Sequence, residues 1–249
     1  MKYVIAVMIF SSLTVIGQTA RIQEIRLKPN TKHFNVKEET IIFPLISLDN
    51  KKIENEINSQ IKATVFEPED KNLDIKKILK RDSDDGLINL DYEVTYNRNN
   101  LLSINITLEG CGAYCSNTTY FFNFDLISSK SLKLNDFILT SRLDDFREKV
   151  MSDKNRFLKS YLDEEKKICL SEEGLGIETF DNIAEMVQND CMNALNLTEW
   201  KISLTSIEFN EPCSFAHAIR SQEPDYKLEY HFKDIASFLS ENYKKILLK

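Results

Sequence analysis

Two cysteine-containing spacings could do metal chemistry. Cys111-x3-Cys115 and Cys213-x3-His217 together offer three thiolates and an imidazole, a donor set and a spacing that suit tetrahedral zinc. Thiolate ligands must stay reduced, however, and this chain opens on an export signal. Five Cys in an exported chain point to disulfides rather than to a metal, so no metal or other cofactor is expected. Cys111 and Cys115 lie four apart across a loop and pair first. Cys169 and Cys191 flank a segment able to fold back on itself and pair second. Cys213 is then left over as a buried thiol, as half of an intermolecular bond, or as a sign that the second pairing is drawn differently.

Acid–base chemistry has few candidates. The chain holds three His. His33 lies in a polar stretch, His231 falls on the polar side of an alternating segment, and His217 is the one in a mixed setting, where a hydrogen-bonded structural role is the commoner one. Paired carboxylates occur at Asp84-Asp85, Asp144-Asp145, Glu164-Glu165 and Glu172-Glu173, all in charged surroundings that read as solvated. Neither a nucleophile elbow, a zinc-protease helix, a P-loop nor a dinucleotide fingerprint is present. A binding role is therefore preferred to an enzymatic one, with a hydrolase using carboxylates or His217 as the alternative. Asn105, Asn117 and Asn196 head Asn-x-Thr sequons, which matter only in a glycosylating host.

The elements that would carry these groups follow an export signal. Lys2, the apolar run Tyr3–Ile16 and the short residues before Gly17 make residues 1–17 a cleavable signal peptide, with cleavage after Ala20 as the alternative. No Cys follows to take a lipid, and no later stretch reaches membrane-spanning length, so a secreted or periplasmic protein is expected, released rather than tethered. Lys2 is the only charge in the signal; its removal leaves 31 Lys and Arg against 39 Asp and Glu, a net −8. That balance argues against nucleic acid and anionic membranes as partners and suits a cationic one.

Hydrophobic patterning then orders the chain. Residues 18–88 form an N-terminal strand–helix part and 89–249 an antiparallel sheet plus helices, sharing one core. The first part runs from a polar, poorly ordered or edge segment at 18–33 through a strand within 34–48, which Pro44 confines to a sheet edge or bulge. A helix follows, capped by Asp49 with Ile53, Ile57 and Ile61 on one stripe. Asp70–Gly86 reads as a charged surface loop around one short helix.

Strict alternation then marks three consecutive strands. Leu90, Tyr92, Val94 and Tyr96 are followed by Leu102, Ile104, Ile106 and Leu108, and after Gly110–Asn117 by Tyr120, Phe122, Phe124 and Leu126: a meander with one buried face. Helical periods cover Leu134 to about Tyr161 and Thr179–Leu195. Strands are expected at Trp200–Phe209, Phe215–Ile219 and Tyr226–Phe232, and a closing helix at Asp234–Leu247. Strands and helices come in blocks, so the fold class is α+β: an antiparallel meander sheet with helices packed on one face.

The stretch Gly110-Cys111-Gly112-Ala113-Tyr114, the aromatic strand Tyr120–Leu126 with Asn123-Phe124-Asp125-Leu126, and Leu132-Lys133-Leu134-Asn135-Asp136-Phe137 resemble an exported bacterial domain of unknown function. That domain is shared by lysozyme-sensing anti-sigma factors and the front part of a peptidoglycan deacetylase. Tyr114 stands where many members carry His, and neither the deacetylase domain nor the anti-sigma membrane helix has a counterpart here. The resemblance implies a free-standing binding or sensing domain for cell-wall glycan or a lysozyme-like cationic protein. Its expected contact surface comprises Gly112, Tyr114 and Asn117 of one loop with His217 and Arg220. Tyr114 reads equally as a residue capping the apolar edge of the sheet.

Overall fold

The computed structural model describes residues 17–30, 36, 38–67, 70, 73–171, 176–192, 194–213, 215, 223, 224 and 226–248. The polar segment at 18–33 contributes an edge strand, β1 (Arg21–Leu27), antiparallel to β2 (Ile41–Ser47). Contrary to the edge position expected from Pro44, β2 is internal: the sheet runs β1-β2-β3-β4-β5. Its parallel pairing with β3 (Leu87–Arg98) is confined to Ile41 opposite Leu90, so the proline breaks no ladder. Farther along β2, Asn58 takes that role, accepting from the Ile46 N–H at 2.8 Å and donating to the Ile46 carbonyl at 2.7 Å.

Asn58 belongs to α1 (Lys51–Val65), which buries Ile57, Ile61 and Val65 against the sheet. Its cap is Asn50, not Asp49: the Asn50 side chain accepts from Lys52 and Ile53 N–H, whereas Asp49 turns outward to Arg21 at 3.3 Å. The charged stretch that follows is only partly solvated. Helix α2 (Ile75–Asp84) buries Ile78 and Leu79, and its Arg81 grips the buried Asp70 through two hydrogen bonds of 2.6 and 2.7 Å.

The meander comprises β3, β4 (Leu101–Cys111) and β5 (Cys115–Asp125). Asn99 and Asn100, at φ 54° and 64°, supply the left-handed pair that a two-residue hairpin turn needs. Within β3 the ladder shifts register between Val94 and Tyr96, leaving Thr95 as a bulge. The extra residue reverses the alternation, so Tyr96 packs with Leu101 on the face opposite Tyr92 and Val94, against what strict period two implies.

In the C-terminal half, α3 (Leu134–Phe137) and α4 (Leu143–Cys169) precede α5 (Ile177–Met186), which continues as a π turn through Met192. The single strand expected at 200–209 is a hairpin, β6 (Trp200–Ile202) and β7 (Ser206–Phe209), and with β8 (Leu228–His231) it makes a second sheet. Only Phe215 of the expected strand at 215–219 lies within the described residues, where it is buried. The closing helix is α6 (Glu241–Leu247) alone. Its expected first half is a run of turns over 232–238, ended by a bridge between Leu239 and Ile138 and by the Leu139 N–H donating to the Phe238 carbonyl at 2.8 Å.

Three apolar clusters result. The first fills the space between α1, α2 and one face of the five-stranded sheet, and the second joins the smaller sheet to α3, α4 and the far end of β3 and β4. The third holds Cys169, Cys191 and Cys213 between α4 and α5. Disulfides join Cys111 to Cys115 and Cys191 to Cys213, and Cys169 is a buried free thiol. The expected Cys169–Cys191 pair is therefore corrected: the chain after β7 returns to Cys191, a contact that spacing along the sequence does not reveal.

Candidate functional site

The polar face of the meander is where the described residues assemble a site. Across β4 and β5 the register pairs Ser103 with Asn123, Asn105 with Phe121, Thr107 with Thr119, and Glu109 with Asn117. Alternation along a strand puts all eight on one face, in a row about 20 Å long at ~3.4 Å per residue. From β3, Asp91 and Glu93 stand beside Thr107 and Asn105. The row is not simply solvated, as a one-faced sheet would be, because β6 lies across its inner end. The Asn123 Nδ2 donates to the Trp200 carbonyl at 2.8 Å, the Ile202 N–H donates to Ser103 Oγ at 3.0 Å, and Lys201 reaches Glu93 at 3.4 Å.

This overlap divides the row into two cavities of about 460 Å³ each. The outer one lies over Asp91, Glu93, Asn105, Thr107, Phe121 and Lys201. The inner one lies between β5, the segment before α3 and the segment before β6, and includes Asn123, Trp200, Lys133 and Arg147. The half-buried ring of Phe121 borders both, exposed enough to offer an apolar surface between polar neighbours.

Two amides give the site its directional chemistry. Asn105 is 6% exposed and its Nδ2 donates to Glu93; Asn123 is 3% exposed and its Nδ2 is held by the Trp200 carbonyl. Both Oδ1 atoms are buried without a hydrogen-bond partner among the described residues. A buried carbonyl left unmet costs about 1–3 kcal/mol. These acceptors suit a ligand that brings hydroxyl or N–H donors.

Of the residues expected at the contact surface, Gly112 and Tyr114 lie at the β4–β5 turn, closed by Cys111–Cys115, with Tyr114 77% exposed. Space around Gly112 is open, so nothing there demands glycine. Asn117 is exposed on β5 and begins the polar row. His217 and Arg220 lie outside the described residues. Three of the four zinc donors considered, Cys111, Cys115 and Cys213, are consumed in disulfides. Asn105, buried through its hydrogen bond to Glu93, is no glycan acceptor once folded, whereas Asn196 is exposed in a turn with its Oδ1 bonded to Thr198.

With Leu102, Ile104, Ile106 and Leu108 on the buried face, alternation leaves Ser103, Asn105, Thr107 and Glu109 on the polar one. The contribution of Phe121, Asn123, Trp200 and Arg147 was missed, because it depends on β6 docking through side-chain-to-backbone bonds that leave no periodic signal.

No family model and no curated protein matches the sequence. Solved structures do. A crystal structure of a DUF3298 family member from Bacteroides fragilis aligns over 92% of this chain and 97% of its own length, with a TM-score of 0.61 at 15% identity. A DUF3298 family protein from Pseudomonas aeruginosa aligns over 90% and 94%, with a TM-score of 0.55 at 10% identity. Two disulfides also fit an extracytoplasmic protein, and among the described residues no helix is long and apolar enough to cross a membrane. The fold of this chain is that of a bacterial domain family of unknown function.

Proposed function

We propose that this is an extracytoplasmic, non-enzymatic binding or sensing domain whose groove on the polar face of the meander receives a cell-wall glycan chain. The observation that carries the reading is the row of Asn, Thr and Ser side chains around Phe121, with the buried Asn105 Oδ1 left as an acceptor. Sugar hydroxyls supply donors to such acceptors, and the apolar face of a pyranose ring packs on an aromatic side chain. The export signal read in the sequence and the resemblance to an envelope domain support a location where such chains are found.

A hydrolase is the second reading. Glycosidases flank the scissile bond with two carboxyl groups. Asp91 and Glu93 instead project from one strand on one side of the groove, and Glu93 already faces Lys201. A lysozyme-like protein suits the net charge of −8 but gives no role to a groove lined by Asn and Thr.

The test is co-sedimentation of the purified mature protein with insoluble peptidoglycan, beside capture on immobilised lysozyme. Retention on peptidoglycan that falls about tenfold with Phe121→Ala, in line with a stacking contribution of about 1.4 kcal/mol, supports the reading. Release of soluble sugar would make the chain a hydrolase, capture by lysozyme alone would make the ligand a protein, and retention on neither would overturn the proposal.

A further inference from the structure

Resting on the glycan reading, we infer that the inner cavity is a subsite for one N-acylated sugar acid, a pyranose bearing both an acylamino group and a carboxylate. Its volume of about 460 Å³ falls in the range that encloses a small ligand. Its walls combine the three features such a ligand needs.

The first is apolar. Trp200, 3% exposed and fixed edge-on to Phe137 at 5.3 Å between ring centres, forms one wall, with Leu132 and Leu197 beside it. These surfaces suit an acyl methyl and a ring face. The second is the Asn123 Oδ1, 97% buried by residue and without a partner among the described residues. Because its Nδ2 is committed to the Trp200 carbonyl, the amide cannot turn round, and its buried Oδ1 stays an unmet acceptor in the wall of the cavity, open to an amide N–H or a hydroxyl that reaches it.

The third is charge. Of the other cations on α4, Lys149 and Arg156 are both held by Asp153 and Lys154 by Glu211, while Lys159, Lys166 and Lys167 have no ion pair among the described residues. Arg147, exposed and lining the cavity, has no carboxylate partner among the described residues. Its guanidinium matches a carboxylate in geometry as well as sign. Lys133 adds a second cation on the rim. The acidic balance of the whole chain does not oppose this, since it is screened beyond about 8 Å at physiological ionic strength.

Trp200 is the only tryptophan in the chain, so its fluorescence reports occupancy of this cavity directly. Titration of the mature protein with N-acetylmuramic acid should change the Trp200 emission and saturate at a concentration about tenfold or more below that needed for N-acetylglucosamine, as expected for one charge-assisted hydrogen-bonded contact. Arg147→Gln should bring the two sugars to parity while leaving the urea midpoint unchanged, because Arg147 is exposed and has no ion-pair partner among the described residues. Equal affinities in the parent protein, an emission that neither sugar changes, or a preference that survives Arg147→Gln would overturn the subsite. Peptidoglycan retention measured in parallel separates the two claims. Retention without acid selectivity sinks the subsite and leaves the groove; selectivity without retention leaves a small-molecule site and sinks the polymer.

Discussion

The ammonium of Lys154 lies 3.3 Å from the carboxylate of Glu211 inside the protein, with the two side chains 1% and 4% exposed. Lys154 also donates to the Ala194 carbonyl at 2.8 Å, and Glu211 accepts from the Asn196 N–H at 3.1 Å, so the pair ties α4 to the chain on both sides of the β6–β7 hairpin. Burial raises the Glu211 carboxyl above its ordinary range, although Asn196 and Lys154 pull it down. A raised acid favours the protonated form in the folded state, so Glu211 weakens stability as pH climbs from the unfolded to the folded value. Lys154→Met removes the opposing charge and should cost about 3–5 kcal/mol at neutral pH. The loss should shrink on mild acidification, and adding Glu211→Leu should restore much of it. Urea unfolding at two pH values measures this; a Lys154→Met variant equally stable at both would refute the coupling.

The two disulfides should contribute unequally. Cys191 and Cys213 are 22 apart in sequence, Cys111 and Cys115 only four. Loop-closure entropy then predicts a loss of about 3 kcal/mol for Cys213→Ser against about 2 kcal/mol for Cys115→Ser. Cys169→Ser should preserve both bonds. Peptide mapping without reductant decides the connectivity, and a Cys169–Cys191 peptide from the native protein would contradict it.

The meander was legible because alternation is a local property, and β3, β4 and β5 are joined by short turns. The limits of that reading are visible at Tyr96. One bulged residue, Thr95, moves the ring to the opposite face, and its hydroxyl bonds to the Ser103 hydroxyl at 2.9 Å, a group itself buried only because β6 arrives 99 residues later. The same distance in sequence hid the site. Asn123 reads as one more solvent-facing residue of an aromatic strand until Trp200 covers it. Cys213 looked surplus for a related reason: its partner is chosen by the packing of α5 on α4, not by spacing.

Acid should weaken the smaller sheet. Glu208, in the middle of β7, is buried, which by itself raises its carboxyl. The Ser203 hydroxyl, Lys227 at 2.9 Å and Lys201 at 3.3 Å outweigh burial and hold it below its ordinary value of 4.5. A lowered acid stabilises the folded state above the unfolded value, and that contribution is lost as pH falls through the folded one. Glu208→Gln should therefore cost about 1–3 kcal/mol at neutral pH, as hydrogen bonds to charged groups do, and should flatten the acid limb of the stability profile. Parallel profiles for parent and variant would count against this role.

The hydrogen bonds of residues 18–20 favour one of the two cleavage positions expected from the sequence. The Gln18 N–H donates to Asn100 Oδ1 and the Asn100 N–H returns to the Gln18 carbonyl at 3.1 Å. Two residues on, the Ala20 N–H donates to Asn97 Oδ1 and the Asn97 Nδ2 to the Ala20 carbonyl, both at 2.8 Å, with Ala20 only 7% exposed. Residues 18–20 thus close the open side of the β3–β4 turn through four hydrogen bonds. Cleavage after Ala20 would remove them and leave two Asn side chains without these partners, at about 1 kcal/mol per bond. Cleavage after Gly17 keeps them, and the new amino group at Gln18 still faces the Asn100 side-chain Oδ1. Intact mass and N-terminal sequencing of the exported protein should therefore begin at Gln18, and a version starting at Arg21 should unfold at lower urea; an exported chain that starts at Arg21 with undiminished stability would remove any structural role from these residues.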